Sequence, residues 1–81
     1  MSTAHLNRPR RVSDRRLGNR LKTRRAAKQL TQADLAELAG VSRKTINTVE
    51  NGVFIPSVHL ALTLARALGT TVEDLFFIGS E

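Results

Sequence analysis

The chain has no cysteine, tryptophan or tyrosine, and only three phenylalanines and two prolines among its 81 residues. Without cysteine there can be neither a disulfide nor a thiolate-ligated zinc. His5 and His59 are the only imidazoles and lie far apart in sequence, so no metal and no cofactor is expected. The scarcity of aromatic rings argues against a surface for stacking single-stranded bases. No apolar run approaches the ~20 residues that a membrane span requires. The basic N-terminus has no apolar segment after it, so no signal peptide is read, and a soluble, cytoplasmic protein without a membrane partner is expected. Ser42, His59 and the carboxylates show no nucleophile–base spacing, and no glycine loop could cradle a phosphate, so an enzyme is not expected.

Acidic residues are almost missing from residues 1–30, where ten arginines and lysines stand against Asp14 alone. The remainder holds three cations, Arg43, Lys44 and Arg66, against six acids. So one-sided a field points to a polyanionic partner, nucleic acid or an anionic surface, more than to general solubility.

A chain of this length permits one small domain. Residues 1–14 ("MSTAHLNRPRRVSD") show no helical period, contain Pro9 and read as a flexible basic arm, with Arg8, Arg10 and Arg11 as candidate contacts to a polyanion. A helical pattern begins at Arg15, with Leu17 and Leu21 one turn apart, and runs to about Lys28. Thr31 then caps "QADLAELA", whose Leu35, Ala36, Leu38 and Ala39 supply a buried side before Gly40 stops the helix. Ser42 and Gly52 bound a third helix. Ser57 caps "VHLALTLARAL", in which Val58, Ala61, Leu62, Ala65 and Leu68 recur at three and four, with Leu60 off that stripe and Gly69 at the end. Thr71 begins "VEDLFFI", with Asp74 three residues on in a capping-box arrangement. No segment shows strand alternation. The expectation is an all-α domain of five helices over residues 15–78, with 79–81 as a tail.

The third helix is short and polar. Ile46 and Val49 fall on one side, with Glu50 at its edge, while Arg43, Lys44, Asn47, Thr48 and Asn51 sweep out the opposite arc. A solvated amphipathic helix would show the same pattern, but cations at a helix N-terminus oppose the macrodipole and need a reason to be there. Only Gly40, Val41 and Ser42 separate this helix from the one before, so the two must cross steeply in close contact. That arrangement is a helix-turn-helix, spanning about residues 32–51. The shape alone is weakly specific, because many helical domains contain one without touching DNA.

"LTQADLAELAGVSRKTINTVENG" followed by "PSVHLALTLARALGTTVEDLF" closely resembles the phage repressor and Cro type of helix-turn-helix protein, over about residues 17–76. The resemblance implies a five-helix, lambda-repressor-like DNA-binding domain, usually dimeric on a pseudo-palindromic double-stranded operator. It implies base contacts from Arg43, Lys44 and Thr48, with Asn47 beside them, and phosphate contacts from Gln32 and Asn51, with Ser42 and Thr45 at the margin. Side-chain chemistry agrees: arginine and lysine suit guanine, asparagine suits adenine, and a threonine methyl suits thymine. The resemblance further implies a largely buried ion pair between Arg25 and Glu50. Many members carry glutamines at the positions of Arg43 and Lys44, so no operator transfers, and the residue before Leu30 is commonly glycine where this chain has Gln29.

Leu60, Phe77 and Ile78 are left as large apolar groups off the core pattern, which points to a homodimer interface near the C-terminus. The reading is a small sequence-specific transcriptional regulator, with stand-alone repressor, restriction-modification controller and the partner of a toxin equally open. The alternative is a nonspecific binder of RNA, DNA or anionic surfaces through the basic N-terminal segment.

Overall fold

A computed structural model describes residues 16–79. The arm expected over residues 1–14, with Arg8, Arg10 and Arg11, and the end of the expected tail lie outside the described residues. In chain order the elements are β1 (Leu17–Asn19), α1 (Leu21–Ala27), α2 (Gln32–Ala39), α3 (Arg43–Glu50), α4 (Val58–Ala67), α5 (Val72–Leu75) and β2 (Phe76–Ile78). Five helices follow the expected order, but the domain is not strictly all-α.

The two strands replace the outer ends of the expected first and last helices. Leu17 pairs antiparallel with Ile78, Gly18 with Phe77 and Asn19 with Phe76. The helix expected from Arg15 therefore starts at Leu21, and the one expected to reach Ile78 stops at Leu75. Two causes are visible. Phe-Phe-Ile is aromatic and β-branched, which suits a pleated surface better than a helix. Gly18 lies under the Phe77 ring so closely that a Cβ there would sit 2.2 Å from a ring carbon. The Arg20 guanidinium covers that ring from 4.6 Å, so half-buried Phe77 is largely occupied within the domain. Backbone bonds from Arg20 N–H to the Leu75 carbonyl (2.8 Å) and from Gly79 N–H to the Arg16 carbonyl (2.7 Å) extend the ladder.

Helix ends follow the residue chemistry. The Thr31 hydroxyl accepts from the Asp34 N–H while the Asp34 carboxylate accepts from the Thr31 N–H, a complete capping box that lowers the Asp34 pKa. Ser42, Ser57 and Thr71 cap α3, α4 and α5 through their hydroxyls. The box expected at Thr71 forms only in its forward half. The Asp74 carboxylate is held instead by Arg24 at 2.6 and 2.7 Å and by the Thr70 hydroxyl at 2.8 Å, which keeps its pKa down at about 2. Residue 40 closes α2 in the left-handed region (φ 71°), where glycine has no Cβ penalty. α1 ends in the same hydrogen-bond pattern with a glutamine: Gln29 has φ 59°, with Leu30 N–H bonded to the Arg25 carbonyl and Gln29 N–H to that of Ala26.

Leu21, Leu35, Ile46, Leu64 and Leu75, one from each helix, are fully buried and form the centre of the core, with Val49 beside them. On α4 the buried stripe is Leu60, Ala61, Leu64, Ala65 and Leu68, which corrects the expected one: Val58 is 77% and Leu62 57% exposed. A helix apolar on most of its surface admits two stripes, and packing against α2 and α5 selects between them. Leu60 is thus a core residue rather than a free apolar group, whereas Ile78 is exposed. Leu38, expected to be buried, is also exposed.

The Arg25 guanidinium donates to both Glu50 carboxylate oxygens (2.7 and 3.2 Å) and to the Leu30 carbonyl (2.8 Å). Their side chains are only 13% and 3% exposed, so this pair joins α1 to α3 inside the domain. Replacing either residue alone strands a buried charge and should lower the unfolding free energy by about 3 to 5 kcal/mol. Arg25→Met with Glu50→Leu should lose less than the two single losses combined; an additive double-mutant cycle in urea denaturation would show that the two are uncoupled. Gln29→Gly should stabilise the domain by up to about 1 kcal/mol, because the left-handed penalty of about 1–2 kcal/mol exceeds glycine's extra unfolded-state entropy. A lowered denaturation midpoint in that variant would refute the account of the α1 terminus.

Candidate nucleic-acid interface

α3 presents two chemically different sides. Ile46 and Val49 are buried, whereas Arg43, Lys44, Asn47 and Asn51 are exposed and Thr48 is half-buried. The outward arc expected from the sequence is therefore continuous on the surface of the domain. Neither Arg43 nor Lys44 pairs with a carboxylate among the described residues, and the first turn of α3 contains no acid.

Local bonds set how these side chains are presented. The Ser42 hydroxyl accepts from the Thr45 N–H at 3.1 Å, and the two hydroxyls lie 2.9 Å apart. The Thr48 hydroxyl donates back to the Thr45 carbonyl at 2.9 Å, so its donor is spent within the helix, leaving its oxygen as an acceptor and its methyl as an apolar contact. Asn51 donates to the Asn47 side-chain oxygen at 3.2 Å, which leaves the Asn47 amide hydrogens outermost. At the head of α2, Gln32 donates to a Glu50 carboxylate oxygen at 3.0 Å. One of its two amide hydrogens is thus committed inward and the other stays available.

Two residues outside the motif complete the frame, and neither was identified from the sequence. Asn19 accepts from the Leu21 N–H (3.0 Å) and donates to the Val49 and Glu50 carbonyls (3.0 and 3.4 Å) at the far end of α3. An asparagine just ahead of a helical pattern is a readable cap signal, but its reach to α3 is not. Arg24 bridges α1 to Asp74 of α5. Beyond α3 the loop residues Val53, Phe54 and Ile55 are exposed in succession.

This geometry has known counterparts. A helix-turn-helix family model matches residues 21–75. An uncharacterised helix-turn-helix-type transcriptional regulator of Methanocaldococcus jannaschii is 48% identical over 58 residues, spanning 72% of this chain and 88% of that one. YgzD of Bacillus subtilis, with the same description, is 36% identical over 63 residues, spanning 78% of this chain and 96% of its own length. Among solved structures, the restriction-modification controller C.AhdI from Aeromonas hydrophila superposes with a TM-score of 0.66 at 38% identity, covering 68% of this chain and 83% of that one. The DNA-binding domain of the P22 C2 repressor gives 0.65 at 30% identity, covering 67% and 71%. With an exposed polar α3 set on a short glycine turn, a family match over most of its length and repressor-like neighbours, the chain belongs to the helix-turn-helix family as a sequence-specific DNA-binding transcriptional regulator of the repressor and Cro type.

Proposed function

We propose that the protein is a dimeric repressor that inserts α3 into the major groove of a pseudo-palindromic operator. Arg43, Lys44, Asn47 and Thr48 would face base edges, and Gln32, Ser42, Thr45 and Asn51 phosphates. The observation that carries this reading is the exposed pair Arg43 and Lys44, without a carboxylate partner among the described residues, on a helix whose other side is fixed in the core. Serine and threonine hydroxyls at the head of α3 and the spare amide hydrogen of Gln32 are donors of the kind that hold phosphates. The arm residues Arg8, Arg10 and Arg11 would neutralise further phosphates or enter the minor groove. Arg16, the first described residue, lines a common hollow with Asn51 and Gly52 at the end of α3.

For the dimer, the exposed side of α4 is the surface proposed in place of buried Leu60. Val58, Ala61, Leu62, Ala65 and Val72 line an open groove of about 650 Å³ between α4 and α5, with Arg66 and Glu73 also on its walls. A two-fold interface is self-complementary, so Arg66 of each protomer can meet Glu73 of the other while the exposed apolar groups cover one another. Phe77, half-buried beneath Arg20, contributes little, whereas exposed Ile78 can extend the contact.

The reading should be tested on a duplex recovered by selection from randomised DNA and on a scrambled control. Arg43→Ala or Lys44→Ala should weaken binding to the selected duplex by about 1 to 3 kcal/mol for each base pairing removed, and relax preference at particular base pairs. Deleting residues 1–14 should lower affinity for both duplexes alike and make the salt dependence shallower by about 0.9 for each phosphate no longer neutralised. Equal losses on both duplexes from the α3 variants would replace base reading with nonspecific polyanion binding.

Sedimentation at micromolar concentration should show a dimer for the native chain and a monomer for Leu62→Glu. A native chain that stays monomeric with and without DNA would rule the dimer out.

A further inference from the structure

We infer that Asn19 is a positioning residue for DNA reading: its one amide holds the C-terminal end of α3 to β1 and the head of α1. The inference rests on the proposal that α3 reads bases. Asn19 stands in β1, paired with Phe76, and its side-chain oxygen accepts the first N–H of α1 at 3.0 Å. The neighbouring Arg20 supplies no side-chain cap there. The same amide's nitrogen reaches the carbonyls of Val49 (3.0 Å) and Glu50 (3.4 Å). These belong to the last turn of α3, where carbonyls have no partner within the helix. A single side chain therefore joins the start of α1, the short sheet and the end of α3.

This link constrains what the others leave loose. Arg25 and Gln32 grip the Glu50 side chain, and Ile46 and Val49 bury the inner face, but a side-chain grip permits the helix axis to tilt about it. Asn19 holds the backbone itself. A helix of this length is about 12 Å long, so a tilt of about 5° about its C-terminal end moves the Arg43 end by roughly 1 Å. Displacement on that scale is enough to degrade a hydrogen bond, whose donor–acceptor optimum is only a few tenths of an ångström wide. Phosphate attraction is far more tolerant, because it falls off slowly with distance. Breaking the Asn19 link should thus harm discrimination between sequences more than affinity for DNA in general.

Asn19→Ser separates the two bonds. Serine keeps an acceptor near the head of α1 but is too short to reach α3. Asn19→Asp is the second variant: its carboxylate is favourable at a helix N-terminus, and it too lacks the donor. In each variant that melts cooperatively, affinity for the selected duplex should drop about tenfold, the scale of one weakened base pairing, with a change of less than about threefold on the scrambled duplex. Backbone amide resonances of residues 49–54 should shift in both variants. Equal losses on the two duplexes, or an unchanged ratio between them, would overturn the inference. Arg43→Ala measured alongside tells which premise has failed. If it abolishes discrimination while the Asn19 variants retain it, positioning by Asn19 is wrong and base reading by α3 stands; if it too leaves discrimination intact, base reading by α3 is wrong and the inference falls with it.

Discussion

The Glu50 carboxylate is the constraint around which this domain is arranged. An ionised group with its side chain 3% exposed is costly to bury unless its lone pairs are filled. Arg25 fills two positions from α1 and Gln32 a third from α2. Arg25 spends its remaining reach on the Leu30 carbonyl, so the link also fixes the loop that leads into α2. Three helices are thereby referred to one carboxylate. The helix that carries it is the one whose outer face, in the proposed mode, is offered to DNA. A buried ion pair is not by itself strong evidence for stability, since well-packed apolar groups can do as well. Its effect here is directional: an apolar contact tolerates sliding, whereas a bidentate guanidinium–carboxylate pair does not.

Such fixing matters because α3 is too short to hold itself. Eight residues lie below the length at which an isolated helix is stable in water, so its persistence depends on its caps and its neighbours. Ser42 satisfies an N–H at one end. At the other end, the Val49 carbonyl receives Gly52 N–H and Asn19, and the Thr48 carbonyl receives Val53 and Phe54 N–H. With its backbone ends and inner face satisfied, the side chains of the outer arc need contribute little to folding. They are available for whatever the surface meets.

The sequence was most legible where structure is local. Thr31, Ser42, Ser57 and Thr71 cap the helices they were expected to cap, and Ile46 and Val49 point inward as their spacing requires. The strands were illegible because three residues are too few to display alternation, and a glycine in one of them carries no hydropathy at all. Their existence depends on a ring from one end of the chain settling over a bare backbone at the other. The α4 stripe failed for another reason. Leu60, Leu62 and Leu64 are equivalent to a periodicity argument, and only α2 and α5 decide which of them is covered. Ion pairs divided along the same line: Arg25 and Glu50 were identified through family resemblance, while Arg24 with Asp74, with no such guide, was not.

The uneven distribution of charge fits a division of labour along the chain. A rigid face can tell sequences apart only through few, well-aimed contacts, each worth about 1 to 3 kcal/mol. Such contacts give little attraction until the surfaces are already in register. Long-range attraction needs net charge, and cations on the reading face beyond those aimed at base edges would favour every phosphate equally. Most of the basic residues lie in residues 1–30, while the remainder carries a net negative count. Of the three cations in that remainder, two stand at the exposed head of α3. In the proposed mode, the N-terminal cations bring DNA near irrespective of sequence, and the fixed pair at the head of α3 is left to discriminate. The stretch from residue 31 onward, whose one other cation is Arg66, then gains specificity by being poor in them, since additional ones would strengthen binding to correct and incorrect sites alike.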